Sequence, residues 1–259
     1  MASVNEILAV AVLITELQAG NAVGTATGFF YSRDDEVYLV TNRHVVREES
    51  RNHRPDQLRL RLHTDLNDLS KNADWEVPLY DGQTARWTVH PKYPIPLIDI
   101  ALVRLDQQVL KKSYVFKALT ASNFLPEHFV IVPGEDVMAL GFPRGLSDTV
   151  HNLPIVRQAM ISSAYGVDFR GQPFFLIDGN LHPGMSGSPV ITRPKNTWLD
   201  KQGNTNMLTG TPMYFLGVHS ATLSLSLPSG QEALGLGTVW YGYLIDEIID
   251  AQNKKPKAG

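Results

Sequence analysis

The sequence predicts an all-β protein in two halves, closed by one C-terminal helix. Three observations carry this. Short β-prone segments recur between residues 9 and 239, separated by Gly, Pro, Asn and Asp. The stretch Asp106 to Gly134, largely polar at first and then broken by Pro126 and Pro133, interrupts that rhythm and reads as a crossover. Near the end, Leu244, Ile245, Ile248 and Ile249 fall at helical spacing, with Asp246 and Glu247 between them. At 259 residues the chain is long enough for two small barrels.

In the first half, Ala9 to Leu17 and Gly28 to Tyr31 are apolar and β-prone, and Val37 to Thr41 is a third such run. Leu58 to Leu62 alternates apolar and basic residues, the pattern of a half-exposed strand. Trp87 to Val89 and Ile100 to Leu105 complete the set. In the second half the strands are expected at Asp136–Leu140, Ile155–Ile161, Phe174–Ile177, Pro189–Thr192, Met213–Val218 and Leu236–Val239. Such short strands between turns suggest closed or sandwiched antiparallel sheets. Arg193 to Thr211 and Leu223 to Ala233 read as exposed loops. Two units follow, 1–115 and 116–252, with a basic tail at 253–259 expected to be disordered.

Composition removes several functions. A net charge of -3, without a basic stripe interleaved with aromatics, gives no footprint for nucleic acid or a membrane surface. The chain has no cysteine, so disulfides, thiolate metal sites and cysteine nucleophiles are excluded. That absence tilts the expectation towards a reducing, cytoplasmic setting. The apolar run Ile7 to Ile14 is preceded by Glu6 and no basic residue, which suits a buried first strand better than a signal peptide. No cofactor or metal is expected.

The chemistry gathers at His182-Pro183-Gly184-Met185-Ser186-Gly187-Ser188-Pro189-Val190. Glycines two before and one after Ser186 permit a tight turn that points the hydroxyl outward. The N–H groups of Gly184 and Ser186 can then converge on one point, as an oxyanion site requires. The same pattern also serves as a plain turn, and a serine needs an adjacent base to become a nucleophile. Among eight histidines, His44 stands out because Leu39 to Asn42 is a buried strand end that plants it on a rigid support. Asp99 is a lone carboxylate among Leu97, Ile98, Ile100 and Ala101, and burial there requires a partner. A surface histidine on a turn and a structural ion pair are the plainer alternatives for these two.

Thr41-Asn42-Arg43-His44-Val45, Asp99-Ile100-Ala101-Leu102-Val103 and Pro183 to Val190 together resemble the three signature blocks of trypsin-like, chymotrypsin-fold serine peptidases, in the family's His, Asp, Ser order. Gly28-Phe29-Phe30 and Gly217-Val218-His219-Ser220 add to the likeness, which extends from about Leu8 to Ile249. The resemblance implies two six-stranded antiparallel β-barrels with the site in the cleft between them. It implies a catalytic triad of His44, Asp99 and Ser186, an oxyanion hole of Gly184 and Ser186, and a serine endopeptidase acting on proteins or peptides through an acyl-enzyme. Asn180, Leu181 and His182 on one side, with His219, Ser220 and Ala221 on the other, would line the substrate pocket. Met185 stands where digestive members carry an acidic residue, so the chain looks closer to the cysteine-free bacterial and viral branches. Without an Asp at Asn180, a trypsin-like Lys/Arg preference is not expected. His219 offers either a hydrogen bond to Glu or Gln, or mere packing with a small or apolar preference. A catalytically silent fold serving as a binding module is the alternative function.

Overall fold

The computed structural model describes residues 6–92, 98–227 and 230–254. The described residues open with a 3-10 turn, Glu6–Val10, so the first strand starts two residues later than expected, at Ala11. The first half then runs β1 (Ala11–Gln18), β2 (Asn21–Arg33), β3 (Glu36–Thr41), α1 (Arg43–Val46), β4 (Gln57–His63) and β5 (Asn72–Pro78). It continues through β6 (Tyr80–Asp81), β7 (Thr84–Ala85), β8 (Trp87–Val89) and β9 (Ala101–Arg104). The crossover carries α2 (Gln107–Ser113) and β10 (Ala118–Leu119). The second half comprises β11 (Asp136–Gly141), β12 (Ile155–Ile161), β13 (Phe174–Asp178), β14 (Pro189–Thr192), β15 (Thr197–Leu199), β16 (Thr205–Met207), β17 (Phe215–Leu227), β18 (Gly230–Tyr241) and α3 (Leu244–Asn253).

The second half closes as a six-stranded antiparallel barrel in the order β11-β12-β13-β18-β17-β14. The first half is an eight-stranded sheet in the order β5-β4-β1-β2-β3-β9-β8, with β10 paired in parallel to β2. Mostly β, with one closed barrel, a second sheet-rich half and a C-terminal helix, the architecture fits a chymotrypsin fold. The alternation read in β4 is borne out: Leu58, Leu60 and Leu62 are buried while Arg59 and Arg61 pair outward with Glu76 and Asp74.

Two segments read as exposed loops are ordered. Leu223 to Ala233 belongs to the long β17–β18 hairpin, with Ser224 opposite Ala233. Its Leu-Ser-Leu-Ser-Leu alternation carries the strand signal, overridden in the reading by the surrounding Ser, Pro and Gly. Pro228 and Ser229 lie outside the described residues. Arg193 to Thr211 contains the β15–β16 hairpin, held because Trp198 is fully buried against Phe129 and Tyr214. The helix α3 runs to Asn253, and residues 255–259 of the expected tail lie outside the described residues.

Among the described residues, one of two buried clusters spans the halves, and the other lies within the first half. Phe29 and Tyr31 of β2 join Phe215 of β17 and Leu244, Ile245, Ile248 and Ile249 of α3 in a single buried cluster. Phe29 and Phe215 meet at 5.3 Å between ring centroids. The polar edge of α3 fastens the second half to the first: Tyr31 donates to Asp246 at 2.8 Å, Arg33 pairs with Asp246 and Asp250, and His90 bonds Glu247 at 2.7 Å. Burying that apolar face at about 25 cal/mol per Å² fixes the relative position of the halves, and so the geometry between them.

Candidate active site

His44 sits in the single turn α1, directly after the buried end of β3. Asn42, fully buried, donates from its amide to the Asp99 carbonyl at 2.7 Å and ties this turn to the chain entering β9. The Asp99 carboxylate accepts three hydrogen bonds. The His44 backbone N–H reaches Oδ1 at 3.0 Å, while His44 Nδ1 and the Ser220 hydroxyl reach Oδ2 at 2.7 and 2.6 Å. One side chain therefore fixes both the position and the tautomer of the imidazole, leaving Nε2 without a proton in the neutral ring. Burial disfavours the charged imidazole, but the Asp99 hydrogen bond and charge outweigh it, with Glu16 and Glu48 adding to them. The His44 pKa is raised above its ordinary value.

Ser186 lies between two glycines on a turn supported by the first half of the chain. The Thr27 N–H donates to the Ser186 carbonyl at 2.9 Å, and the Thr27 hydroxyl donates to the Gly184 carbonyl at 2.8 Å. That hydroxyl also accepts the Phe142 N–H at 3.0 Å, and the Thr27 carbonyl accepts from Thr41 at 2.9 Å. Thr27 is fully buried and touches the Gly184–Ser186 turn, the β11 end and β3 at once. Sequence reading passed over it, since a threonine in a strand carries no motif.

His182 to Met185 follows the type II turn pattern, with Pro183 and Gly184 central and the Met185 N–H on the His182 carbonyl at 3.1 Å. Gly184 has φ +91°, and a Cβ there would lie 2.5 Å from the Phe142 carbonyl oxygen. The Pro183 carbonyl accepts the Arg144 N–H at 2.6 Å. In a trans peptide the adjoining Gly184 N–H points the opposite way, away from Arg144 and towards the cleft. Among the described residues neither the Gly184 nor the Ser186 N–H has an acceptor. Arg144 adopts a left-handed φ of 52° to make this anchor, another feature with no sequence signal. Met185 is fully buried in the core and gives the turn apolar packing beneath it.

At rest the Ser186 hydroxyl donates to the Ser220 carbonyl at 3.1 Å and makes no hydrogen bond to His44. A cleft of about 740 Å³ contains His44, Asp99, Ser186, Leu181, His182, His219, Ser220 and Ala221. Of the residues expected to line the pocket, Asn180 is the one left out. It is exposed, and its carbonyl is held by the Arg157 guanidinium at 2.7 Å. The cleft also takes in Thr222, Trp240 and the Glu48–Arg51 loop, which sequence reading did not select. His219 is buried under Gly237, and burial lowers its pKa to about 4, so its imidazole is neutral. Among the described residues no group of three or more His, Asp or Glu side chains could hold a metal ion.

Residues 26–197 match the family model of the trypsin-like peptidase domain. Among curated proteins none matches the sequence. Solved structures share the fold at low identity. The serine endoprotease from Yersinia pestis superposes with a TM-score of 0.54 at 15% identity, over 99% of this chain and 70% of its own. The Rv3671c protease from M. tuberculosis gives 0.51 at 18% identity in an inactive form, over 94% of this chain and 89% of its own. Its active form gives 0.50 at 19% identity, over 97% and 84%.

Proposed function

The chain belongs to the trypsin-like peptidase domain family, and from that premise we propose that it is a serine endopeptidase working through His44, Asp99 and Ser186. The observation that carries this reading is the Asp99 carboxylate, which binds both N–H groups of His44 and the Ser220 hydroxyl beside Ser186 in one cleft. A carboxylate so placed orients the ring and stabilises its cation as the Ser186 proton is taken up.

In the proposed reaction the Ser186 hydroxyl turns from the Ser220 carbonyl to His44 Nε2 and attacks the scissile carbonyl of a protein or peptide. The O–H proton passes to His44. The tetrahedral oxyanion is met by the Gly184 and Ser186 N–H groups, a contribution of about 3 kcal/mol or more per donor in comparable sites. The imidazolium then protonates the leaving amine, the acyl-enzyme forms, and a water activated by His44 releases the product. Peptide backbone would lie along Ser220–Thr222 as an added strand.

One observation favours a second reading, a silent fold that binds peptides without cutting them. The Ser186 hydroxyl rests on the Ser220 carbonyl instead of His44. Catalytic hydrogen bonds often tighten only when substrate is bound, so this geometry is compatible with activity. Hydrolysis of fluorescent casein by the purified chain and by Ser186→Ala separates the readings. The peptidase reading expects wild-type turnover and a loss on the order of a million-fold in the variant. No wild-type turnover, or equal rates, would leave the binding module.

A further inference from the structure

A second cleft opens from the same serine on the side of Gly184. It encloses about 500 Å³ and is walled by Glu16, Val23, Thr25, Glu48 and His53. It shares His44, Glu48, Arg51, Pro183 and Ser186 with the larger cleft, but not the Leu181, His219 and Ala221 wall. On the peptidase reading, on which this inference rests, it faces the residues that follow the cleaved bond.

Glu16 is the unusual member. It lies on β1 and is 6% exposed. His53 Nε2 holds its Oε2 at 2.7 Å; its Oε1 is not among the fully buried atoms that lack a partner, and Glu16 lines the cleft, so this oxygen is reachable from it. The surroundings are shaped to keep the carboxylate there. Gly24 is its cross-strand neighbour on β2, and a Cβ at that position would lie 2.5 Å from Oε2. His53 is fixed in turn, because its backbone and that of Glu48 exchange N–H to carbonyl bonds at 2.9 Å in both directions. A carboxylate this buried, with one histidine as its ion-pair partner, is costly to keep charged. Burial raises the Glu16 pKa, and the charges of His53 and His44 only partly oppose it. Glu48, half-buried, adds a second carboxylate to the wall, whereas the cation Arg51 is exposed at the rim, where water screens it.

We propose that this cleft is a subsite for a basic side chain, lysine or arginine, in the residues immediately after the scissile bond, with Glu16 Oε1 as its acceptor. A cationic donor bonds this oxygen and compensates the buried charge together. A neutral donor does only the first, and an acidic side chain meets two carboxylates. Charge-assisted hydrogen bonds are roughly twice as strong as neutral ones.

The test uses a proteome-derived peptide library in two arms. In the first, the intact enzyme cuts the library and mass spectrometry reads the residues after each cut. In the second, immobilised Ser186→Ala protein retains peptides from the same library without turnover. The expected result is enrichment of Lys and Arg in both arms, reduced about tenfold by Glu16→Gln, whose amide oxygen can still accept from His53. A variant-free check compares a cleaved Lys peptide with its acetyl-lysine form on the unaltered enzyme, with about tenfold slower cleavage expected for the latter. Cleavage without Lys or Arg enrichment, or enrichment unmoved by Glu16→Gln, overturns the subsite while leaving the peptidase intact. Absence of cleavage with Lys and Arg peptides still retained through Glu16 sustains the subsite and overturns the peptidase reading. Absence of both cleavage and selective retention overturns both.

Discussion

Replacing Asp99 by asparagine changes one atom and removes an acceptor from a group that uses both oxygens. The carboxylate receives the His44 N–H on Oδ1, and His44 Nδ1 and the Ser220 hydroxyl on Oδ2. An asparagine can take two orientations. With its NH2 at the Oδ1 position, two donors face each other and the half-buried His44 N–H is orphaned, at a cost of about 1–3 kcal/mol. With its NH2 at the Oδ2 position, the Ser220 hydroxyl can rotate to accept, and His44 Nδ1 must accept too. The ring then carries its proton on Nε2 and cannot take one from Ser186. The second orientation wins, so only about one molecule in ten to one in a hundred keeps the useful tautomer. Those molecules also lack the negative charge that stabilises the imidazolium. Together the effects predict a loss of kcat on the order of ten-thousand-fold, about 5 kcal/mol of barrier. Casein hydrolysis reads the rate, nitrogen-15 shifts of His44 read the tautomer, and a thermal melt checks that the fold persists. A folded variant with several per cent of wild-type kcat, or with Nδ1 still protonated, refutes the reasoning.

Three further outcomes follow from the same geometry. Thr27→Val keeps the shape of the side chain but strands the buried Phe142 N–H and releases the Gly184 carbonyl. It should cost about 1–3 kcal/mol of stability and lower kcat more than it alters KM, read by urea unfolding and steady-state kinetics. Because the His44 pKa is raised and the base works as the neutral ring, the acid limb of kcat/KM should lie above the ordinary imidazole value of about 6.5, and a profile with its limb below that contradicts the assignment. His219 titrates near 4 in the folded chain, down from 6.5, so between these values the unfolded state binds the extra proton. Its contribution is complete above pH 6.5 and is lost as pH falls through 4, roughly 3 kcal/mol in all; His219→Gln should flatten that acid slope in urea titrations. Since the buried imidazole is uncharged at neutral pH, no preference for Glu before the cut is expected from it.

Much of this organisation was legible because it is periodic or clustered. The Leu58 to Leu62 alternation, the apolar spacing of α3 and the run from Pro183 to Val190 each state their structure within a few residues. What stayed hidden depends on contacts far apart in sequence. Thr27 matters because it meets Gly184, 157 residues away. Arg144 matters through its backbone N–H and its left-handed φ, neither of which its side chain announces. Glu16 and His53 carry no motif, because a carboxylate in a strand and an imidazole in a polar loop reveal nothing until folding pairs them at 2.7 Å. Asn180 erred the other way. Its position in the run before Ser186 suggested a pocket wall, but the chain turns there and Arg157 holds its carbonyl outside the cleft.

The central claim is that Ser186 is activated by its surroundings, and a serine-directed fluorophosphonate probe tests this without knowledge of the substrate. The reagent captures a serine only where a base removes its proton and an oxyanion site receives the phosphoryl oxygen. Intact-mass and peptide mapping of the labelled chain should find one adduct, on Ser186, formed by the wild type and almost absent from Asp99→Asn. A folded wild-type chain left unlabelled, or an adduct on another residue, would contradict the account.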